Sequence, residues 1–302
     1  MKIARFLLYA LNGVIITSCA DSDNATSQEP PGGPETPAAG RVNALVSDDL
    51  CQKFNYDDKR RITTAEFTVP GADDNEGLFV HYDYSDDGAI GLRYSDYSYE
   101  DGHSRFRKWD ETLRLSANGL ADYCEGIFEA TVNSYPELTA KYKIEFHYDA
   151  DKQLVDAKHY QWTMAYGGYD MEHPWTWYEW FVWENGNLVR HEDCDGSSKP
   201  KHINELTYLE WPADDAVSPL IYSTFNRAYG PLQAAGIFGA NSKNLVKIVR
   251  HTSNADLSPS IINKISFAYH FDDNGRITNY NETYLPGSGQ YKNYAYRVDW
   301  GD

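Results

Sequence analysis

The residues most suited to ligand chemistry are six aromatics crowded between positions 175 and 183: Trp175, Trp177, Tyr178, Trp180, Phe181 and Trp183. On an extended strand, alternate side chains point to opposite faces. Trp175, Trp177, Glu179, Phe181 and Trp183 then share one face, and Tyr178, Trp180 and Val182 the other. Flat rings on such a strand stack on sugar rings or hold an apolar ligand. A strand apolar on both faces also suits packing between two layers. The candidate ligand-binding residues are Trp175, Trp177, Tyr178, Trp180 and Trp183.

Other chemistries find less support. The chain has 45 acidic residues, so a carboxylate pair at glycosidase spacing arises somewhere by number alone. Asp57-Asp58, Asp86-Asp87, Asp149 with Asp151, and Asp272-Asp273 lack the alternating oxygens and closing Glu of a calcium loop, and all fall at expected turns. Nine histidines show no HExxH spacing, although His147 and His159 lie on two arms of one hairpin and could approach across it. GxSxG, GxGxxG and P-loop motifs are absent. The expectation is a non-catalytic protein with no cofactor and no metal.

The elements that must position these residues follow one local grammar: an apolar or aromatic strand, a turn rich in Asp, Asn and Gly, then a strand opening on Leu or Ile. ISFAYHFDDNGRITNYNETY, IEFHYDADKQLVDAKHY and WFVWENGNLVRHED are the clearest copies. FNYDDKRRITTAEF, VHYDYSDDGAIGLRY and LRLSANGLADY are weaker ones. Gly88, Gly119, Gly186 and Gly275 supply the positive φ of the turns. The expected fold is all-β, an antiparallel hairpin meander curled into a barrel or half-barrel. One short helix is expected near 219–229, with Ser218 as N-cap, Pro219 at the first helical position and a stop at Gly230-Pro231.

Lys2 and Arg5, followed by an apolar run from Phe6 to Ile16, have the layout of a secretory signal. That run is shorter than the roughly 20 residues that span a bilayer. It closes on ITSC, which resembles the lipobox of bacterial lipoproteins, and this implies acylation of Cys19 and removal of residues 1–18. Asp21 and Asp23 behind it resemble the surface-export signal of Bacteroidetes lipoproteins. The implied location is the outer membrane, on the cell surface or the periplasmic face, with the bilayer as a partner through the Cys19 anchor. Residues 19–40 comprise this cysteine and a Pro/Gly/Ser/Thr-rich linker without aromatics, with a reach of about 25 Å. Residues 41–302 remain as a single β domain.

The formal charge is −18, and losing Lys2 and Arg5 with the signal leaves −20. Nucleic acid is therefore excluded as a partner, since it is bound through clustered Lys and Arg. Cys51, Cys124 and Cys194 permit at most one disulfide or three free thiols, with no CxxC pair.

The hairpin unit FDDNGRIT resembles the YD-type repeats of bacterial Rhs shells, about ten residues at a time. SKNLVKI (Ser242 to Ile248) and FDDNGRI (Phe271 to Ile277) carry a further resemblance over the last third of the chain. It is to a family of Bacteroidetes lipoproteins built on a domain of unknown function with a porin-like fold. That resemblance implies a barrel or half-barrel and brings no catalytic residues. Charges on expected strand faces and the polar ending Val298-Asp299-Trp300-Gly301-Asp302 speak for the shape of a porin without its passage through lipid. The leading expectation is a membrane-anchored lipoprotein that binds glycan or peptide through an aromatic surface. A polysaccharide hydrolase and a protein-interaction scaffold are the alternatives.

Overall fold

The computed structural model describes residues 41–70, 77–100, 103–165, 168–169, 173–194, 200–213, 217–223, 227–253, 260–286 and 291–301. The signal, Cys19 and the linker lie outside them.

Strands β1 (Arg41–Val46), β2 (Cys51–Tyr56), β3 (Ile62–Thr68), β4 (Gly77–Tyr84), β5 (Ala89–Glu100), β6 (His103–Leu115), β7 (Ala121–Val132), β8 (Tyr135–Tyr148) and β9 (Leu154–Ala165) each pair antiparallel with the next. The two-residue β10 (Gly168–Tyr169) folds back on β9, whose neighbour on the side away from β8 is β11 (Trp175–Glu184). The meander resumes through β12 (Asn187–Cys194), β13 (Pro200–Pro212), β14 (Asn244–Ser253), β15 (Ser260–Phe271), β16 (Ile277–Pro286) and β17 (Lys292–Gly301). Arg41 of β1 then pairs with Gly301 of β17, which seals the ring. β10 aside, the strands form a closed antiparallel barrel of sixteen. Of the two expected forms, the full barrel is realised.

Alternation decides which face is which. On β4, Leu78, Val80 and Tyr82 are buried toward the lumen, while His81 and Asp83 are exposed outside. The outer face carries ion pairs such as Arg93–Asp83 at 2.5 Å, Lys143–Glu145 at 2.7 Å and Arg297–Asp299 at 2.6 Å. A lipid-facing surface would have to desolvate these charges.

The Asp-led turns share one end of the barrel. Asp57, Asp149 and Asp272 each accept two backbone N–H groups, from Lys59 and Arg61, Asp151 and Gln153, and Asn274 and Arg276, all at 2.9 Å. Turn chemistry thus accounts for these acidic residues. Where the turns lack Gly, Arg60 and Lys152 take the positive φ, 66° and 62°.

From this turn end, the segment between β13 and β14 enters the lumen. It holds two short helices, α1 (Ser218–Ile221) and α2 (Gly230–Ala234), in place of the single helix expected near 219–229. The N-cap is Val217, and Gly230-Pro231 opens the second helix where a stop was expected. Proline has a preset φ and no N–H, which suits the first turn of a helix as well as the position after one.

Val217, Ala228, Leu232 and Phe238 of this plug are buried against the wall, and Phe238 meets Phe146 edge-on at 5.2 Å. Ala121 N–H donates to Ile237, Ala240 N–H to Lys152 and Lys243 N–H to Gly186, so three turns staple the plug in place. A cavity of about 40 Å³ remains between plug and wall, lined in part by Trp183, Tyr208 and Phe238. Cys51, Cys124 and Cys194 are all free thiols.

Candidate functional site

The crowded aromatic stretch is β11, and its two faces serve two environments. Trp175, Trp177, Glu179, Phe181 and Trp183 point to the lumen, and Tyr178, Trp180 and Val182 to the outside. The five candidate residues therefore do not form one surface.

On the outer face, Tyr178 and Trp180 stack with centroids 6.0 Å apart and planes 15° apart. Trp180 is 41% exposed. The neighbouring strand β9 adds Tyr160 and Trp162, 6.1 Å and 9° apart, which the sequence had not singled out. Lys158 lies between the two pairs, its Nζ 4.7 Å from the Tyr160 ring and 5.7 Å from the Tyr178 ring. The register places Tyr178 opposite Lys158 and Thr176 opposite Tyr160, so the four rings form a strip across two strands. Tyr160 hydroxyl donates to Glu145 at 2.8 Å. Glu145 is also held by Lys143, whose ammonium keeps its carboxyl below the usual range against a smaller effect of burial. His147 is fixed by Asp156 at 2.6 Å, also on the outer face.

His159 faces the lumen, so the expected approach of His147 and His159 does not occur. Register pairs His147 with Asp156, and His159 is three positions further on, an odd offset that turns it to the opposite face. There it meets Glu179: His159 Nε2 lies 2.7 Å from Oε1, and His191 Nε2 lies 2.6 Å from Oε2. Burial opposes ionisation of Glu179, but hydrogen bonds from both histidines outweigh it and hold the carboxyl well below the ordinary range.

The row continues around the wall through His191 Nδ1 to Asn204 Nδ2 at 3.3 Å and Asn204 Oδ1 to His251 Nδ1 at 2.8 Å. His202 stacks on His251 at 5.4 Å. Burial, with smaller effects from His202 and His191, lowers the His251 pKa to about 4.

Of the lumen-facing tryptophans, Trp177 is 7% exposed and stacks on His159 at 4.6 Å. Trp175 stacks on Trp177 at 4.6 Å and is 41% exposed. Trp183 is structural, its indole N–H donating to the Leu154 carbonyl at 2.8 Å. Among the described residues, no group of three or more His, Cys, Asp or Glu side chains could hold a metal ion.

This barrel with its filled lumen is matched by the model of a domain of unknown function with porin-like fold (DUF4595) over residues 54–279, and the chain belongs to that family. Two solved structures share its shape. A porin-like protein from Bacteroides uniformis is 12% identical with a TM-score of 0.51, over 88% of this chain and 99% of that one. A porin-like protein from Bacteroides vulgatus is 11% identical with a TM-score of 0.52, over 86% of this chain and 99% of that one. Among curated proteins there is no match.

Proposed function

We propose that this chain is a non-catalytic outer-membrane lipoprotein, anchored through a lipid on Cys19, that binds glycan on the outer aromatic strip of β9 and β11. One observation carries the reading: Tyr160–Trp162 and Tyr178–Trp180 form two ring pairs with near-parallel planes on adjacent strands, with Lys158 between them. Such faces attract the C–H faces of sugars, and Lys158 and Tyr178 add polar tips for hydroxyl groups.

Hydrolysis is disfavoured at this strip. A general acid needs a raised pKa, whereas Glu145 beside the rings is held ionised by Lys143. A protein scaffold would present a broader patch, about 800 Å² per partner, than a strip two strands wide. The tether suits this use. β1 begins at the turn end, where Arg41 pairs with Gly301, and a flexible tether ahead of it would leave the side wall carrying the strip free to meet a ligand.

Affinity electrophoresis through gels containing neutral plant or microbial polysaccharides tests the reading. Wild-type protein is expected to be retarded by at least one polysaccharide, and the Tyr178→Ala/Trp180→Ala variant to run freely while keeping its circular dichroism spectrum. Equal retardation of the folded variant, or none of the wild type in any gel, would overturn it.

A further inference from the structure

The barrel rim away from the Asp-led turns is uneven. β1 and β2 have 6 residues each, β3 has 7 and β4 has 8, whereas β17 has 10 and β5 has 12. Measured from the shared turn end, the described wall is lowest between β17 and β5. β1 stops at Val46 for a local reason. Ser47 Oγ accepts the Leu50 N–H at 2.9 Å and the Asp49 N–H at 3.3 Å, which turns the chain into β2. The ladder of β1 with β17 accordingly ends at Val46 opposite Arg297. From Lys292 to Tyr296, β17 pairs with β16 alone among the described residues.

That stretch is about 17 Å of strand edge, and its alternate residues turn N–H and C=O groups away from β16. Of the devices that blunt an edge it has a lysine at the rim, Lys292, but neither a proline nor a register shift. A hollow of about 580 Å³ opens where the free edge begins, between Ser47 and Asp48 of the turn and Asn281, Ala295 and Arg297 of the wall. Asn293 and Ala295 on the edge and Asp48 on the turn are exposed, so a ligand has both room and access. A regular row of main-chain donors and acceptors matches another extended main chain better than it matches a sugar.

Charge narrows the partner. Asp48 and Asp49 are exposed at the hollow, and Glu282 stands opposite Tyr294 on the inner face. Burial, and then the charges of Glu282 and Asp49, raise the pKa of the half-buried Tyr294 hydroxyl, which sets both carboxylates near that ring. Against them stand Lys292 at the rim and Arg227 facing Glu282, while Arg297 is held by Asp299 at 2.6 and 3.0 Å. Tyrosine faces and carboxylates together favour a basic side chain. A second copy of this chain would bring a further charge of −18 to the edge.

We propose that the free edge of β17 from Lys292 to Tyr296 docks an extended peptide strand of a partner protein with Lys or Arg at alternate residues, its main chain pairing with β17 and a basic side chain lying beside Tyr294 and Asp49. The site does not rest on the outer-strip reading, since β9 and β11 lie elsewhere in the ring.

Hydrogen exchange on the full chain tests it, with the peptide Thr-Lys-Thr-Lys-Thr-Lys-Thr as probe. In the free chain, alternate main-chain N–H groups between Lys292 and Tyr296 should exchange fast. The lysine peptide should slow them roughly tenfold or more and leave β9 and β11 unchanged. A peptide with Glu in place of Lys should bind roughly tenfold or more weakly, and Asp49→Lys should weaken the lysine peptide while keeping the circular dichroism spectrum. The proposal is overturned by slow exchange along the whole edge in the free chain, by peptide binding without change at β17, by equal binding of the two peptides, or by no binding at millimolar peptide. Slow exchange in a chain that elutes as a dimer would assign the edge to a second copy instead.

Discussion

The hydroxyl of Tyr229, in the plug, donates to Oε2 of Glu111 on the barrel wall at 2.7 Å. Tyr94 donates to the same carboxyl at 2.5 Å, and Tyr142 and Cys124 add further hydrogen bonds. Burial raises the Glu111 pKa, and the hydroxyl donors oppose it. One buried acid thus gathers side chains from β5, β6, β7, β8 and the plug. Tyr229→Phe is expected to lower stability by about 1–2 kcal/mol, and Glu111→Leu by roughly 3 kcal/mol or more because it strands several buried hydroxyls. Urea unfolding measures both, and an unchanged midpoint for Tyr229→Phe would show that the hydroxyl does not hold the plug.

Two titrations set a pH dependence with opposite signs. Burial pushes the Glu282 carboxyl up to about 7, with Arg227 opposing. Its contribution is fully present below its ordinary pKa of 4.5 and is lost as pH rises through 7. His251 is depressed from 6.5 to about 4, so its contribution is present above 6.5 and lost as pH falls toward 4. Glu282→Gln should flatten the fall in stability between pH 4.5 and 7, and His251→Gln the loss between pH 6.5 and 4. Thermal unfolding across that range separates them; parallel curves for wild type and variant would refute the assignment.

Gly239 stands where the plug passes the Asp149 turn, with φ of +88°. A Cβ there would lie 2.2 Å from the Lys152 carbonyl oxygen and 3.0 Å from the Tyr148 ring. Gly239→Ala should cost about 2 kcal/mol or more, since positive φ and a backbone clash act together. Gly275→Ala, also at positive φ but with open space around it, should cost less. The difference in melting temperature between the two variants checks the clash apart from the φ.

The proposed lipid anchor predicts that Cys19→Ala releases the protein from membranes, and the barrel should stay intact because every strand from Arg41 to Gly301 pairs without that residue. Fractionation reads the first effect and circular dichroism the second. A variant that lost its β signal would assign residues 1–40 a part in folding.

Much of this could be read from local sequence. Asp57, Asp149 and Asp272 announce their turns because an Asp side chain bonds the backbone two and four residues on. The two faces of 175–183 follow from strand alternation alone. The plug was harder, since Gly230-Pro231 fits the end of one helix and the start of another equally well. The lumen row was not legible. His159, Glu179, His191, Asn204 and His251 come from five strands, and only the register between those strands places them side by side. Tyr160 and Trp162 were missed for the same reason: β9 and β11 are neighbours across the short β10 excursion, and nothing within β9 itself marks its rings as a continuation of Tyr178 and Trp180.

The pairing of Arg41 with Gly301 has a consequence in time. A ribosome delivers β1 first among these strands and β17 last, so the ring stays open until β17 has been made, and the first strand waits for it before its second neighbour arrives. A fold closed by its most distant pair assembles slowly and as one event.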